Sequence, residues 1–165
     1  MLYDFLRRLT VMVVLCLAQA LVLNRIQLFH CATPLLYAYF AIIFPRSYPK
    51  WAILLWCFSM GVIVDAFSNT PGVAAASMTL IGALQPYLLE LFLPRDVDSH
   101  VKVSSHMLGI GNFMSLATIL VAIYCVMFFT LNLFSFSNLI YWMECIVGST
   151  LLTLLLIFTL ENLRK

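Results

Sequence analysis

The sequence predicts an all-α membrane protein with six transmembrane helices in one bundle and both termini in the cytoplasm. Its composition, its division into six apolar runs and the placement of its basic residues all point this way. Hydrophobic residues make up 64% of the 165-residue chain and charged residues only 10%, against about 25% in an ordinary soluble domain. So few charged residues cannot cover the surface of a small soluble domain. We therefore expect the bilayer to surround most of the surface of this chain.

Each of the six runs is long enough to cross a bilayer as a helix, which takes about 20 mainly apolar residues. Strands of a membrane barrel alternate apolar and polar residues over about 10 positions. These runs are apolar on every side, as expected of helices, which satisfy their own backbone hydrogen bonds in lipid. The sequence therefore predicts one transmembrane domain over residues 1–165, with spans at about 6–23, 28–44, 51–67, 73–92, 107–131 and 139–160.

The first run begins at the Arg7-Arg8 pair and ends at the Asn-Arg pair 24–25. Its beginning resembles a cleavable signal peptide, with Ala-Gln-Ala at 18–20 in the place of a cleavage site. The apolar stretch continues to Leu23, however, and is then long enough to span. We therefore expect a membrane helix here, whereas cleavage would leave five spans in the same orientation.

Short polar breaks separate the other runs. The second run ends at Pro45, and the third follows Lys50. Residues 69–72 read Asn-Thr-Pro-Gly, which is typical of a tight turn because proline pre-sets φ and glycine tolerates a positive φ. The polar stretch 93–106 precedes the fifth run, and 132–138 separates the fifth run from the sixth.

The distribution of basic residues between the two sides predicts the orientation. With six spans, Arg25 is the one basic residue on one side, and eight lie on the other. Since cytoplasmic loops carry an excess of Lys and Arg, the side with eight is predicted to be cytoplasmic, together with both termini. Those eight residues are Arg7, Arg8, Arg46, Lys50, Arg95, Lys102, Arg164 and Lys165.

Polar groups inside a membrane are costly, so each requires a partner or a function. Asp65 lies near the outer end of the third helix, and two interpretations stay open: it caps or hydrates the turn that follows, or it pairs with Arg25. Glu144, roughly 9 Å below the start of the sixth helix, is a second candidate partner for Arg25. We therefore predict an outer-side polar cluster of Arg25, Asp65 and Glu144.

Other polar and small residues indicate packing between helices. Gln19 and Gln85 are predicted to form interhelical hydrogen bonds. The fourth helix carries small residues four positions apart, Ala75 and Ala83 among them, which allow close approach of another helix of this chain or of a partner. The five cysteines have neither the spacing nor the accompanying histidines of a metal site, so we expect them to be core residues.

The sequence argues against an enzyme. It contains no nucleophile elbow, P-loop, His-Glu-x-x-His or dinucleotide-binding fingerprint. The histidines lie at the ends of the apolar runs, so none is placed in mid-membrane as a base. A carboxylate pair of Asp65 and Glu144 is conceivable, but helical sequence alone does not bring the two together. We therefore expect no catalytic residues, no cofactor, no metal and no nucleic-acid partner.

The segment 61–75, Gly-Val-Ile-Val-Asp-Ala-Phe-Ser-Asn-Thr-Pro-Gly-Val-Ala-Ala, resembles the core motif of the rod shape-determining protein MreD family. That motif has Gly-x-x-x-Asp, then Pro-Gly or Leu-Gly, then a helix of small residues. Family-motif residues here are Gly61, Asp65, Pro71 and Gly72. Pro34 matches a proline that opens the second helix in the family, whereas Val73 stands where many members carry Leu or Asn.

This resemblance implies a non-catalytic scaffold in the inner membrane of bacteria. Members of the family act in the elongation machinery with the bitopic protein MreC and, indirectly, with the actin-like MreB, a glycosyltransferase and a penicillin-binding transpeptidase. The implied function is the coupling of these proteins to peptidoglycan synthesis and cell shape. The implied fold is similar to the six-helix substrate-binding component of energy-coupling-factor transporters, and the motif residues are implied to be structural.

An alternative function stays open, because a bundle of this kind can also bind a solute. On this interpretation the chain is the small-molecule-binding membrane component of a transporter. It would have an outward-facing pocket lined by Asp65, Glu144 and aromatic side chains. A small molecule bound to the purified protein would favour this alternative over the scaffold.

Overall fold

The computed structural model describes residues 2–22, 33–45, 47–92, 109–133 and 139–163. Within these ranges the chain forms helices and turns and no β-strand, so the all-α class is confirmed. Four of the helices, α3 to α6, are long and apolar enough to cross a membrane, as in a membrane protein; a bundle of six spans is not confirmed. The helices are α1 (Leu2–Leu21), α2 (Ala38–Ile42), α3 (Lys50–Ser68), α4 (Val73–Phe92), α5 (Ile110–Leu133) and α6 (Leu139–Leu163).

The second apolar run differs from its prediction. We expected one helix over 28–44, but the described part holds only the five-residue helix α2, with turns and irregular backbone on either side. Residues 34–42 are all buried, and Ala38, Ala41 and Ile42 are 0% exposed. Irregular backbone at membrane depth is tolerated only where protein or water covers it. Here protein covers it, and we call residues 33–45 the buried segment.

α1 has three charged residues in its first two turns and is in this respect more polar than the four candidate spans. These residues are Asp4, Arg7 and Arg8. The Arg8 guanidinium lies over the Tyr48 ring, 4.0 Å from its centroid, and 4.9 Å from that of Phe44. Cation–π contacts of this kind bind the first turns of α1 to the chain that leads into α3.

α3 and α4 form an antiparallel hairpin whose contact line consists of small residues. Ala75, one of the predicted small residues of α4, lies with Ala74 against Gly61 of α3. A Cβ at Gly82 would lie 2.8 Å from the Cys57 Sγ atom. Such side chains let two helix backbones approach closely. The small-residue face of α4 therefore packs within the chain.

α5 is the central helix of the core. Its buried residues recur every three or four positions, as on one face of a helix, and α5 packs on α4 on one side and on α6 on the other. Phe113, Leu116, Leu120 and Tyr124 on this face are at most 1% exposed. α6, in contrast, lies at the periphery of the bundle, with 22% of its span buried against 39–44% for the other three candidates.

Candidate functional site

The Asp65 carboxylate joins the end of α3 to the beginning of α4. Asp65 is 6% exposed. Its Oδ1 accepts hydrogen bonds from the Ala74 N–H at 2.9 Å and from the Thr70 hydroxyl at 3.0 Å, and its Oδ2 accepts the Ala75 N–H at 2.9 Å. Both carboxylate oxygens are therefore engaged within the hairpin. The structure shows the first interpretation left open by the sequence, in which Asp65 caps the turn, whereas the pairing with Arg25 lies outside the described residues.

α4 needs this carboxylate because its own N-cap residue has no side chain. Gly72 occupies the N-cap position, since its carbonyl accepts the Ala76 N–H at 3.0 Å. The first N–H groups of a helix lack intrahelical partners, and a side chain at the N-cap ordinarily accepts those at the second and third positions. Those positions are Ala74 and Ala75, so Asp65 supplies the missing cap from the preceding helix. Its negative charge also lies at the positive end of the α4 dipole.

The turn between the two helices fixes where Asp65 meets α4. Asn69 ends α3 in the left-handed region with φ 56°, a conformation that asparagine tolerates better than most residues. The Val73 N–H donates to the Thr70 carbonyl at 3.3 Å, and Gly72 has φ 85°. A proline followed by a glycine with positive φ is the arrangement of a type II turn. Pro71 and Gly72 therefore have a conformational role, and both are exposed.

Gly61 lies one helical turn before Asp65 and on the same face of α3. A Cβ at this position would lie 2.4 Å from the Ala75 Cα and 2.8 Å from both the Ala75 nitrogen and the Ala74 carbonyl oxygen. No side chain fits into this space, because the obstacle is backbone. Glycine at 61 thus lets the start of α4 come close enough for its N–H groups to reach Asp65.

Gly61, Asp65, Pro71 and Gly72, predicted as motif residues, therefore form one structural unit, which we call the Asp65 hairpin. Chemically it holds a carboxylate that accepts hydrogen bonds from three donors. A carboxylate engaged in this way serves to position two helices. Within the described ranges, no three His, Cys, Asp or Glu side chains lie close enough together to hold a metal ion.

The predicted polar cluster of Arg25, Asp65 and Glu144 is described only in part. Arg25 lies outside the described residues. Asp65 has its three partners in the hairpin, and Glu144 lies exposed on α6. Within the part of the chain that the structure describes, no hydrogen bond joins Asp65 to Glu144, so these two carboxylates do not form a shared site there.

The buried segment carries a second set of polar contacts, at its two ends. The Gln19 side-chain amide of α1 donates to the Pro34 carbonyl at 3.0 Å. The Gln85 amide of α4 donates to the Phe44 carbonyl at 3.0 Å. Gln19 and Gln85 were predicted to bond between helices, and in the structure each donates to the irregular backbone between α1 and α3. Each glutamine thus satisfies a carbonyl that has no helical partner.

α6 binds the buried segment through a stripe of polar side chains that the sequence-based reasoning missed. The Ser149 hydroxyl accepts the Thr33 N–H at 3.1 Å, and the Thr153 hydroxyl accepts the Leu35 N–H at 3.0 Å. Glu161, which is 5% exposed, accepts the Tyr39 hydroxyl at 2.7 Å. The spacing of four places Ser149 and Thr153 on one face of α6, and Glu161 lies about 80° further round the helix. Such a stripe in an apolar helix was the available signal, since it indicates a neighbour that needs hydrogen-bond partners.

Two tyrosines connect the buried segment to the centre of the bundle. The hydroxyls of Tyr37 and Tyr124 are hydrogen-bonded to each other, and both side chains are fully buried. Their rings meet edge to face with centroids 5.6 Å apart, which is a favourable aromatic geometry. Tyr37 of the buried segment is therefore joined directly to Tyr124 on the core face of α5.

Comparison with known proteins identifies no relative: no protein-family model, no curated protein and no solved structure matches the chain.

Proposed function

We propose that this chain is a non-catalytic membrane scaffold of the bacterial rod-shape complex. It would lie in the cytoplasmic membrane and couple an MreC-like bitopic protein, and through it an MreB-like filament, to the glycosyltransferase and transpeptidase that make peptidoglycan. Docking between membrane-spanning helices would be its mechanism. In this role the protein needs a helical frame of fixed geometry and no reacting group.

The observation that carries the proposal is the Asp65 hairpin. The residues on which the family resemblance rests, Gly61, Asp65, Pro71 and Gly72, serve one purpose in the structure. They fix the approach of α4 to α3 and complete the first turn of α4. A motif with this purpose suits a scaffold, because it stabilises a shape, and both oxygens of its carboxylate are already hydrogen-bonded.

The proposed topology has six crossings, with the buried segment as the second. Its contacts run from Pro34, near the end of α1, to Phe44, beside the Arg8 guanidinium at the beginning of α1. A segment with its two ends at opposite ends of α1 crosses most of the bundle. Arg8 and Lys50, described at the same end, would face the cytoplasm, and the turn 69–72 would lie on the outer side.

The transporter alternative receives less support. It requires Asp65 and Glu144 to line one ligand pocket that opens outward. In the structure the Asp65 oxygens accept three hydrogen bonds within the hairpin, and Glu144 is exposed on α6. A ligand at Asp65 would find three of the carboxylate's roughly four acceptor sites already occupied within the hairpin.

The proposal is tested by affinity capture of the tagged chain from gently solubilised native membranes. We expect an MreC-like bitopic protein and wall-synthesis enzymes to co-purify with the chain. Depleting the chain should turn rod-shaped cells into spheres, and wild-type protein should restore the rods. A Gly61→Leu variant, in which a large side chain would meet the α4 backbone, should lose both capture and rescue.

The matched control is Gly111→Leu, because a Cβ at Gly111 meets no atom within 4 Å. This variant should behave as wild type in both assays. The clean absence of wall-synthesis proteins from the wild-type eluate, or a normal cell shape after depletion, would overturn the proposal. A small molecule that co-purifies stoichiometrically, without those proteins, would favour the transporter alternative.

A further inference from the structure

Glu144 is an acidic side chain on the outward-facing surface of α6. The apolar stretch of α6 runs from Ile140 to Leu163, and Glu144 lies four residues after its start, about 6 Å along the helix axis. Glu144 is exposed and has no hydrogen bond or ion pair within the part of the chain that the structure describes. Acidic residues in membrane spans almost always face a bundle interior or a polar partner, so the position of this one requires an explanation.

The residues around Glu144 form a continuous exposed stripe. At 100° per residue, the side chains three or four positions apart lie on the same face of α6. Val147 is 54% exposed and Leu151 and Leu155 are each 64% exposed. Glu144 lies near the first end of this stripe, between Ile140 and Val147. We call this surface, made of Ile140, Glu144, Val147, Leu151, Leu155 and Phe158, the α6 face.

The α6 face lies on the exposed side of α6, which is the least buried of the four candidate spans. The opposite side of α6, with Ser149 and Thr153, is held by the buried segment through hydrogen bonds at 3.0–3.1 Å. α6 is therefore fixed in its rotation, and the outward direction of Glu144 follows from contacts made elsewhere on the helix. An apolar face alone would be satisfied by lipid, whereas a face with a carboxylate at this depth is matched by a cation or a hydrogen-bond donor.

We propose that the α6 face docks one membrane-spanning helix of another protein, which presents a lysine or arginine to Glu144. The occupant is an apolar helix with its basic residue within about one turn of its outer end, at the depth of Glu144. The apolar residues below Glu144 supply packing, and the ion pair sets depth and partner choice. This inference rests on the proposed scaffold function for the class of partner, a spanning helix, and adds the face that binds it.

Photo-crosslinking in native membranes tests this docking. The photoreactive residue p-benzoylphenylalanine is placed at Val147 or Leu151 on the α6 face. Matched controls carry it at Leu55 or Phe58, which are 56% and 50% exposed on α3. We expect protein adducts from the α6 positions alone. Mass spectrometry should map them to a spanning segment with a Lys or Arg at the stated depth.

A charge exchange then tests the ion pair. Glu144→Lys should lower the adduct yield about tenfold or more, as loss of a desolvated charge pair does. Replacing the partner's basic residue by Glu should restore the yield in the Glu144→Lys background. Glu144→Gln is the milder variant and should show a smaller loss of adduct yield. If the lysine variant does not accumulate in the membrane, the adduct yield of Glu144→Gln decides the test in its place.

Several results would overturn the docking face. They are adducts to lipid only, equal adducts from α3, a crosslinked segment without a basic residue, and a yield insensitive to Glu144→Lys. An equal loss of yield in Arg25→Ala would also overturn it, because the partner of Glu144 would then belong to the same chain. Capture of wall-synthesis proteins with adducts confined to α3 would refute the docking face and leave the scaffold function standing. Adducts from the α6 face to a spanning helix unrelated to wall synthesis would do the reverse.

Discussion

At the scale of single residues, Asp65 is the side chain on which the hairpin depends most. It is buried, and it satisfies two backbone N–H groups that have no other acceptor in the first turn of α4. Leaving such groups unpaired costs about 1–3 kcal/mol for each one. The carboxylate also provides a charge at a helix N-terminus, which contributes up to about 2 kcal/mol in partly buried sites.

Asp65→Asn should therefore destabilise the purified protein by about 2 kcal/mol or more, since the new amide group would present a donor to an N–H. The measurement is the midpoint of thermal unfolding in detergent, followed by tryptophan fluorescence. Glu90→Gln is the matched control, because Glu90 is exposed near the other end of α4. An Asp65→Asn midpoint equal to that of Glu90→Gln would contradict the capping role.

Gly61→Ala tests the close approach directly. A methyl group 2.4 Å from the Ala75 Cα forces the two helices apart, and overpacking of this kind costs about 1–3 kcal/mol or more. Gly111→Ala adds a methyl group in open space and should be neutral or slightly stabilising. We expect the first variant to unfold at a lower temperature than wild type and the second to match it. Equal midpoints for the two variants would refute the account of Gly61.

At the scale of elements, the buried segment is held by side chains rather than by its own secondary structure. α2 is five residues long, and an isolated helix of that length is unstable. Its backbone on either side depends on Gln19, Gln85, Ser149 and Thr153 for hydrogen bonds. The segment is consequently ordered by α1, α4 and α6 together.

Thr153→Val should destabilise the protein by about 1–3 kcal/mol, because it keeps the shape of the side chain and leaves the buried Leu35 N–H without its acceptor. Thr159→Val is the matched control, since the Thr159 hydroxyl is exposed and donates only to the Leu155 carbonyl of its own helix. Surface changes of that kind stay within about 0.5 kcal/mol. Hydrogen exchange at the Leu35 amide should rise in the Thr153 variant alone, and unchanged exchange there would refute the assigned contact.

At the scale of the whole molecule, contacts within the described ranges show which parts of the helices lie near one another. Arg8 stacks on Tyr48, so the start of α1 and the entry to α3 are neighbours, and Tyr39 of α2 bonds to Glu161 near the end of α6. The antiparallel hairpin places the turn 69–72 at the opposite end. These contacts arrange the described basic residues Arg8 and Lys50 at one end of the bundle.

Reporter fusions test the proposed orientation. Alkaline phosphatase, which is active only outside the cytoplasm, should be active when fused after Thr70 and inactive after Tyr48 or Lys165. Green fluorescent protein at the same three positions should give the complementary result. Phosphatase activity at Lys165 would contradict the cytoplasmic C-terminus, and activity at Tyr48 would refute the assignment of α3.

Sequence reasoning predicted the long helices well, because an all-round apolar run of this length has few other stable forms in a membrane. α3, α4 and α6 begin and end within about three residues of their predicted limits, which is the usual accuracy for boundaries. The sequence also singled out Asp65 and the turn that follows it. It could not show that Gly61 touches Ala75, since contacts between helices depend on packing.

The second run shows why part of the interior was missed. Its composition is that of a membrane helix, and nothing in residues 35–44 themselves breaks a helix. The irregular backbone is stabilised by the hydroxyls of Ser149 and Thr153, more than 110 positions later, which accept its N–H groups. Acceptors so distant can be found only once the fold has brought them near. Pro34 opens irregular backbone here, and the helix follows at Ala38.

The shared cap of the Asp65 hairpin has a consequence for how the chain enters the membrane. α3 alone would carry a carboxylate without donors, and α4 alone would begin with unpaired N–H groups. The free-energy cost of membrane insertion is therefore lower when the two helices insert together. We expect the two to leave the translocon as a pair. In a translation-arrest experiment, membrane integration of α3 should rise sharply once α4 has emerged from the ribosome. An Asp65→Leu change should remove that dependence, since leucine needs no donors.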